Sequence, residues 1–169
     1  MSVLKGMSFP IVKFKLMSPN AKLPIRGTDG SGAFDFFAEV DGSIAPGEQQ
    51  FILTGIAHDL PAEMRVHLYA GDDSTHGLVP FRLQGVLFDR SSMGGKYGIR
   101  LSFACLIDND YRGEIKLKLE NYGGQQFSWK KGDRLCQIAY VLTYAGPAEE
   151  TKELDKTARG DGGFGSTGK

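Results

Sequence analysis

The chain has 169 residues, the length of one domain that can bury most of its apolar side chains in a single core. It contains 20 Lys and Arg against 20 Asp and Glu, so the net charge is zero and no global basic field favours a nucleic-acid partner. No apolar run approaches the roughly 18 residues of a membrane span and no signal-peptide core is present, so we expect a cytoplasmic protein that binds neither membrane nor nucleic acid.

Short segments that are apolar, or that alternate apolar and polar residues, recur along most of the chain. In chain order they predict strands at Ile11–Leu16, Phe51–Thr54, Arg65–Tyr69, Gly98–Phe103, Glu114–Leu119 and Leu135–Leu142. Turn signals rich in Gly, Asp and Asn separate these segments, and the helix signals are weak. Many short strands at near-regular spacing predict an all-β sandwich or barrel.

The strand pattern stops at Pro147, where a charged segment and then a glycine-rich segment follow. We therefore predict a β domain over 1–146 and a flexible C-terminal arm over 147–169. The arm contains one cation, Arg159, and one aromatic ring, Phe164, among small residues. Such an arm could close over a ligand that has phosphates and a flat ring.

Two polar segments in the first two thirds of the chain could contact a ligand. Asp35 is the one carboxylate in the apolar run Gly32–Ala38, where a turn or capping aspartate is an equally good interpretation. The segment Asp89–Gly98 combines Arg90, two serines and Lys96 with a glycine pair. A guanidinium and hydroxyls suit a phosphate, although a solvated polar loop would have the same composition.

A third segment, Leu106–Gly113, is flanked by strands and is predicted to form a hairpin turn. Asp108 directly follows apolar residues there, so it is a candidate general base, the alternative being a turn aspartate that binds backbone amides. A fourth segment, Gly132–Gln137, leads into a strand.

Taken in order, the segments resemble the five motifs of the trimeric dUTPase family, the deoxyuridine 5′-triphosphate nucleotidohydrolases. The segments Ile107–Gly113, Lys131–Gln137 and Arg159–Gly168 are similar to the third, fourth and fifth motifs. The resemblance extends from about Ile11 to Lys169.

The resemblance implies a distorted β-barrel or jelly roll that assembles as a homotrimer with sites at the subunit junctions. The third motif would come from one chain, the first, second and fourth from another, and the arm from the last. The implied reaction converts dUTP and water into dUMP and pyrophosphate with Mg²⁺. It keeps uracil out of DNA and supplies dUMP for dTMP synthesis.

The resemblance also assigns roles to individual residues. Asp108 would activate the water that attacks the α-phosphorus, and Asp35 would contact the water shell of Mg²⁺. The residues expected to bind the base and sugar are Ala104, Cys105, Leu106, Tyr111, Lys116 and Phe164. The residues expected to bind the phosphates are Arg90, Ser91, Ser92, Gln137, Arg159, Gly165, Ser166 and Thr167.

The sequence departs from the family pattern at three places. Asp89 stands where proline is usual before the Arg-Ser-Ser of the second motif, and its carboxylate would repel a phosphate unless it points away or is paired. Cys105 stands where glycine is usual. Extra chain is present near 69–84.

Two alternatives share this scaffold. One is a dCTP deaminase or a bifunctional deaminase–dUTPase, which the closing arm disfavours. The other is a protein-interaction role, which the extra segment allows in addition to catalysis.

Overall fold

The computed structural model describes residues 11–69, 76–102 and 105–162. Within these ranges the chain forms antiparallel strands and one short π-helical turn, Met93–Tyr97. The strands are β1 (Lys13–Leu16), β2 (Ile25–Arg26), β3 (Ala33–Phe37), β4 (Gly42–Ile44), β5 (Gln49–Leu53), β6 (Ile56–Asp59), β7 (Met64–Tyr69), β8 (His76–Asp89), β9 (Ile99–Leu101), β10 (Leu106–Ile107), β11 (Lys116–Asn121), β12 (Phe127–Trp129) and β13 (Arg134–Tyr144).

The strands belong to four sheets. The largest has the order β10-β8-β13-β3-β2, and β7 pairs with β8 outside this path. A second sheet has the order β5-β11-β9, and the pairs β1-β6 and β12-β4 complete the set. The all-β prediction is confirmed, and the four sheets fit its jelly-roll form.

One apolar core joins these sheets. Its side chains come from strands far apart in sequence, among them Phe36 in β3, Leu117 in β11, Trp129 in β12 and Ile138 in β13, each at most 4% exposed. Strand β11 and much of β13 alternate buried with more exposed residues, which is the pattern expected of a sheet with one face on the core.

The extra segment near 69–84 belongs to a β-hairpin. Strand β7 pairs with the first half of β8 from Met64 opposite Phe81 to Tyr69 opposite His76, while the second half of β8 pairs with β13. Residues 70–75, between the two strands, lie outside the described ranges. Strand β8 thus connects the extra hairpin directly to the segment that carries Arg90.

Both cysteines are free thiols, with Cys136 buried and Cys105 half-buried. From Ala145 to Gly162 the chain forms neither helix nor strand, and residues 147–161 are exposed. Within the ranges that the structure describes, no helix has the length and apolarity needed to cross a membrane.

Candidate functional site

The first pocket lies beside the turn that follows β10 and has a volume of about 370 Å³. Its lining residues are Phe51, Leu106, Ile107, Asp108, Tyr111, Glu114, Ile115 and Lys116. Most of these side chains present carbon atoms, and Asp108 adds a carboxylate. The pocket can therefore hold a flat organic ring next to an acceptor for a proton.

Asp108 is exposed and is the first residue after β10. The prediction of a hairpin here is wrong, because β10 pairs with β8 while β11 pairs with β5 and β9. Its carbonyl accepts a hydrogen bond from the amide of Tyr111 (3.1 Å), which closes the turn. The Tyr111 hydroxyl then donates to the carbonyl of Glu114 (3.0 Å). A Cβ atom at Gly113 would collide with the Tyr111 ring, so the glycine gives this ring its place beside the pocket.

Two further side chains fix this turn to the rest of the fold. Asn109 is buried and binds two backbone carbonyls outside the turn. Arg112 donates from Nη1 to the carbonyl of Asn109 (2.7 Å) and forms an ion pair from Nη2 with Asp59 (3.0 Å). Sequence analysis did not identify Asn109, because its two partners, Pro61 and Leu83, are distant from it in sequence.

The second pocket, of about 260 Å³, lies at the opposite edge of the large sheet. Its lining residues are Gly27, Ser31, Ala33, Asp35, Arg90, Ser91, Arg134 and Gln137. Four of these are residues that the sequence assigns to phosphate or metal contact. The structure therefore brings the first, second and fourth motifs together.

Asp35 organises the cations of this pocket. Its side chain is buried, Oδ1 accepts from Nε of Arg90 (3.0 Å), and Oδ2 accepts from Nη1 of Arg134 (2.9 Å). Arg90 also donates from Nη1 to the carbonyl of Arg134 (3.3 Å). One carboxylate shared by two guanidiniums leaves one net positive charge and several N–H donors for an anion.

Sequence analysis missed Arg134, although it lies within the fourth motif. The signal that could have found it is the position of Arg134 at the start of β13, the strand that pairs with the strand of Asp35. Its side chain faces the same carboxylate as Arg90 does, so it belongs to the same cluster.

The Asp89 carboxylate is bound to backbone. Its Oδ1 accepts from the amide of Leu101 (2.7 Å), while Nε2 of Gln137 donates to the Asp89 carbonyl (2.9 Å). The negative charge is therefore directed at β9, which explains how an aspartate is tolerated where the family has proline. The thiol of Cys105 packs against the core, and burial, followed by the Asp89 charge, raises its pKa.

The remaining predicted site residues are distributed as follows. Ser92 is exposed and lines a groove beside Arg90, and Arg159 is exposed and donates from Nε to the carbonyl of Gly162 (2.9 Å). The predicted residues that lie outside the described ranges are Ala104, Phe164, Gly165, Ser166 and Thr167.

A single chain keeps the two pockets well apart. Strand β10 pairs with β8 so that Ile107 lies opposite Gly85, which places Asp108 beside position 84. Arg90 follows six positions later, at the far end of β8, so about 20 Å of strand separates the two groups. The carboxylate of Asp108 and the arginine pair therefore do not converge within one subunit.

The described residues contain no group of three or more His, Cys, Asp or Glu side chains that could hold a metal ion. In the second pocket, Asp35 is the one carboxylate, and it already binds two guanidiniums. This donor set fits a divalent cation that arrives with the phosphates of a ligand rather than one held by protein carboxylates alone.

Comparison with known proteins agrees with the geometry. The family model described as dUTPase matches residues 74–168. The chain is similar to the deoxyuridine 5′-triphosphate nucleotidohydrolase of Antonospora locustae, with 32% identity over 158 residues that cover 94% of this chain and 96% of the relative. It is also similar to that of Desulfitobacterium hafniense, with 37% identity over 87% of each chain.

Solved structures give the same fold. A Staphylococcus bacteriophage 80alpha dUTPase determined with dUpNHpp superposes with a TM-score of 0.77 at 20% identity, covering 94% of this chain and 98% of that one. A dUTPase from phage phi11 of S. aureus, whose species-specific insert was visualised, superposes with a TM-score of 0.70 at 18% identity, covering 87% and 99%.

Proposed function

The chain belongs to the dUTPase family and is a dUTP diphosphatase, and from that premise we propose that it hydrolyses dUTP with Asp108 as the general base. The observation that carries the mechanism is the pair of pockets: an apolar one with Asp108 at its edge, and a polar one built on two arginines. A nucleoside triphosphate needs both surfaces, one for its ring and one for its charges.

The first pocket takes the uracil and the deoxyribose. Backbone amides and carbonyls of the 104–116 segment read the uracil edge, and a site built for one hydrogen-bond pattern rejects cytosine strongly. The ring of Tyr111, held by Glu114, packs on the sugar and leaves no space for a 2′-hydroxyl. Cys105, Leu106 and Lys116 shape the side of this pocket that is formed by the 105–116 segment.

The second pocket takes the phosphates. Arg90 and Arg134 supply charged N–H donors, and Ser91 and Gln137 supply neutral ones. Because Asp35 fixes both guanidiniums in advance, little reorganisation is needed when charge builds up on the departing pyrophosphate. Ser92 extends this surface.

Asp108 takes the proton from the attacking water. Its carboxylate is exposed and forms no ion pair with the part of the chain that the structure describes, so it is available as an acceptor. The oxygen of the water bonds to the α-phosphorus, the bond to the bridging oxygen breaks, and pyrophosphate leaves with the bonding electrons. A positioned base of this kind contributes ~10²–10⁴-fold to the rate.

The Asp35 side chain suits Mg²⁺ that is carried by the triphosphate, where the ion would neutralise phosphate charge. Arg159, Gly165, Ser166 and Thr167 bind the terminal phosphates when the arm closes, and Phe164 stacks on uracil. Base–aromatic stacking of this kind contributes about 1–3 kcal/mol.

The distance between the pockets supports a homotrimer with its sites at subunit junctions. About 20 Å of β8 separates Asp108 from Arg90 within one chain, which is longer than a triphosphate. In the assembly, the turn that carries Asp108 in one subunit faces the arginine pocket of the next subunit. The product, dUMP, then feeds dTMP synthesis, and removal of dUTP keeps uracil out of DNA.

One assay tests this function. Pyrophosphate release is measured with dUTP, dCTP, dTTP and UTP, each with and without Mg²⁺. We expect pyrophosphate release from dUTP and not from the other three nucleotides. Release from dUTP should be faster with Mg²⁺ than without it. Ammonia release from dCTP would show a deaminase instead, and equal turnover of UTP would contradict the role of Tyr111.

A further inference from the structure

Asn109 follows Asp108 in sequence and binds both sides of the β7–β8 hairpin at its base. Its side chain is 7% exposed, and Nδ2 donates one hydrogen bond to the carbonyl of Pro61 (2.8 Å) and one to that of Leu83 (3.0 Å). Pro61 precedes β7, and Leu83 lies in β8 just beyond the part that pairs with β7. Both amide hydrogens of Asn109 therefore bind the two ends of one hairpin.

The register explains why a side chain makes these bonds. Strand β10 pairs with β8 through Leu106 and Ile107, and continuing that register would place residue 109 opposite Leu83. The backbone instead turns at Asp108. The carboxamide of Asn109 reaches back to the Leu83 carbonyl and extends the strand pairing by one bond beyond the end of β10.

We propose that Asn109 is a positioning residue, which sets the place of the Asp108 carboxylate by fixing the turn to the base of the β7–β8 hairpin. The inference rests on the proposed role of Asp108 as the general base. Removing the carboxamide leaves two partly buried carbonyls without this donor and removes both side-chain hydrogen bonds by which Asn109 holds the turn. A displacement of about 1 Å at a catalytic group can lower a rate by ~10²-fold.

The fold contains a matched residue that separates positioning from structural support. Asn121 is fully buried, and its Nδ2 donates to the carbonyls of Ile44 (2.9 Å) and Gln125 (2.8 Å). Like Asn109, it donates two amide hydrogens to two backbone carbonyls, and its Oδ1 also accepts from the amide of Gly123 (2.9 Å). It lines neither of the two pockets assigned to dUTP.

The test compares Asn109→Ala with Asn121→Ala in the full-length protein. Both substitutions should lower the melting temperature, because Asn109→Ala removes two side-chain hydrogen bonds and Asn121→Ala removes three. We expect Asn109→Ala to lower kcat for dUTP by ~10-fold or more with KM changed by no more than about twofold. Asn121→Ala should leave kcat at the wild-type value.

The same substitution made in an Asp108→Asn background adds a second readout. If Asn109 acts through the Asp108 carboxylate, Asn109→Ala should have little further effect on the residual turnover of Asp108→Asn. An equal fold-loss in both backgrounds, or an equal kcat for the Asn109 and Asn121 variants, would overturn the proposal.

A third variant covers the case in which Asn109→Ala does not fold. Asn109→Ser keeps one hydroxyl donor and should lose less stability, with kcat between those of wild type and of Asp108→Asn. An unchanged kcat in that variant contradicts the positioning role. A wild-type protein that releases no pyrophosphate from dUTP would refute the proposed function itself, and is thus a different result from equal kcat losses in an active enzyme.

Discussion

The Asp108 carboxylate stands exposed at the edge of an apolar pocket, and an amide at this position keeps its shape while removing its basicity. We expect Asp108→Asn to leave the melting temperature and the affinity for a non-hydrolysable dUTP analogue nearly unchanged. Turnover should fall by ~10²-fold or more, because the water loses its base. Calorimetric binding and pyrophosphate release measure the two effects separately. Wild-type turnover in this variant would show that another group activates the water.

His58 is a buried titratable residue next to the turn that carries Asp108. Its side chain is 1% exposed, and Nδ1 lies 3.1 Å from the Tyr140 hydroxyl. Burial is the main cause that lowers the pKa of His58, and the charge of Arg112 adds to it, while the backbone carbonyl of Asp108 and the charge of Asp59 oppose the shift. Burial also raises the pKa of Tyr140, so its hydroxyl stays protonated and can donate to Nδ1.

The lowered pKa predicts a loss of stability in mild acid. Below the ordinary histidine pKa of 6.5, the unfolded chain binds a proton at His58 that the folded chain does not bind. The free energy of unfolding therefore falls as the pH drops from about 6.5 towards the lower folded pKa, and this contribution is fully present above 6.5. We expect His58→Gln to show a smaller drop in melting temperature between pH 7.5 and 5.5 than wild type. Identical drops in both proteins would assign the acid sensitivity to other groups.

At the scale of strands, the base of the extra hairpin contacts the turn that carries Asp108. The base includes the Leu83 carbonyl bound by Asn109, whereas residues 70–75 lie beyond the last described pair, Tyr69 with His76. Replacing residues 70–75 by a two-residue Asn-Gly turn should keep kcat within about twofold, because short polar connections contribute little to a fold. Steady-state kinetics with dUTP measure this. A large loss of kcat in a variant that still folds would mean that residues 70–75 contribute to a site.

The strand pattern of the sequence predicted several elements well and missed others for identifiable reasons. Short alternating segments such as Glu114–Leu119 coincide with observed strands, here β11, because one face of each packs on the core. The 14-residue strand β8 was not predicted, since Pro80 and Gly85 interrupt its apolar pattern. Gly85 is required there, because a Cβ atom would lie 2.7 Å from Cδ1 of Ile138 in the adjacent strand.

The candidate site also combines residues that the sequence predicted with contacts that it could not predict. Motif positions identified Asp108, Arg90 and Gln137 as candidates because their residue types match the chemistry of a triphosphate. Arg90 and Arg134 are 55 and 99 residues away from Asp35 in sequence. Strand pairing brings both guanidiniums to the Asp35 carboxylate. Only the folded sheet reveals which cation faces which carboxylate, so local sequence patterns could not predict that cluster.

At the scale of the whole molecule, the two half-sites of one chain are too far apart to bind one dUTP, which makes the assembly itself testable. Asp108→Asn disables the half of the site that contains the turn after β10. Arg90→Ala disables the half that contains the arginine pocket. If each complete site combines the Asp108 turn of one subunit with the arginine pocket of another, mixed trimers contain some sites in which both halves are intact.

The two variants, each with low turnover alone, should therefore complement each other. After unfolding together in denaturant and refolding as an equimolar mixture, random assembly gives about a quarter of the sites both intact halves. Pyrophosphate release should rise to about that fraction of the wild-type rate, whereas mixing the folded trimers without denaturant should give no increase. If the refolded mixture shows only the average of the two single variants, both halves of each site come from the same chain. In that case the spacing along β8 would have to be bridged by a movement within the subunit, because about 20 Å of strand separates the position beside Asp108 from Arg90.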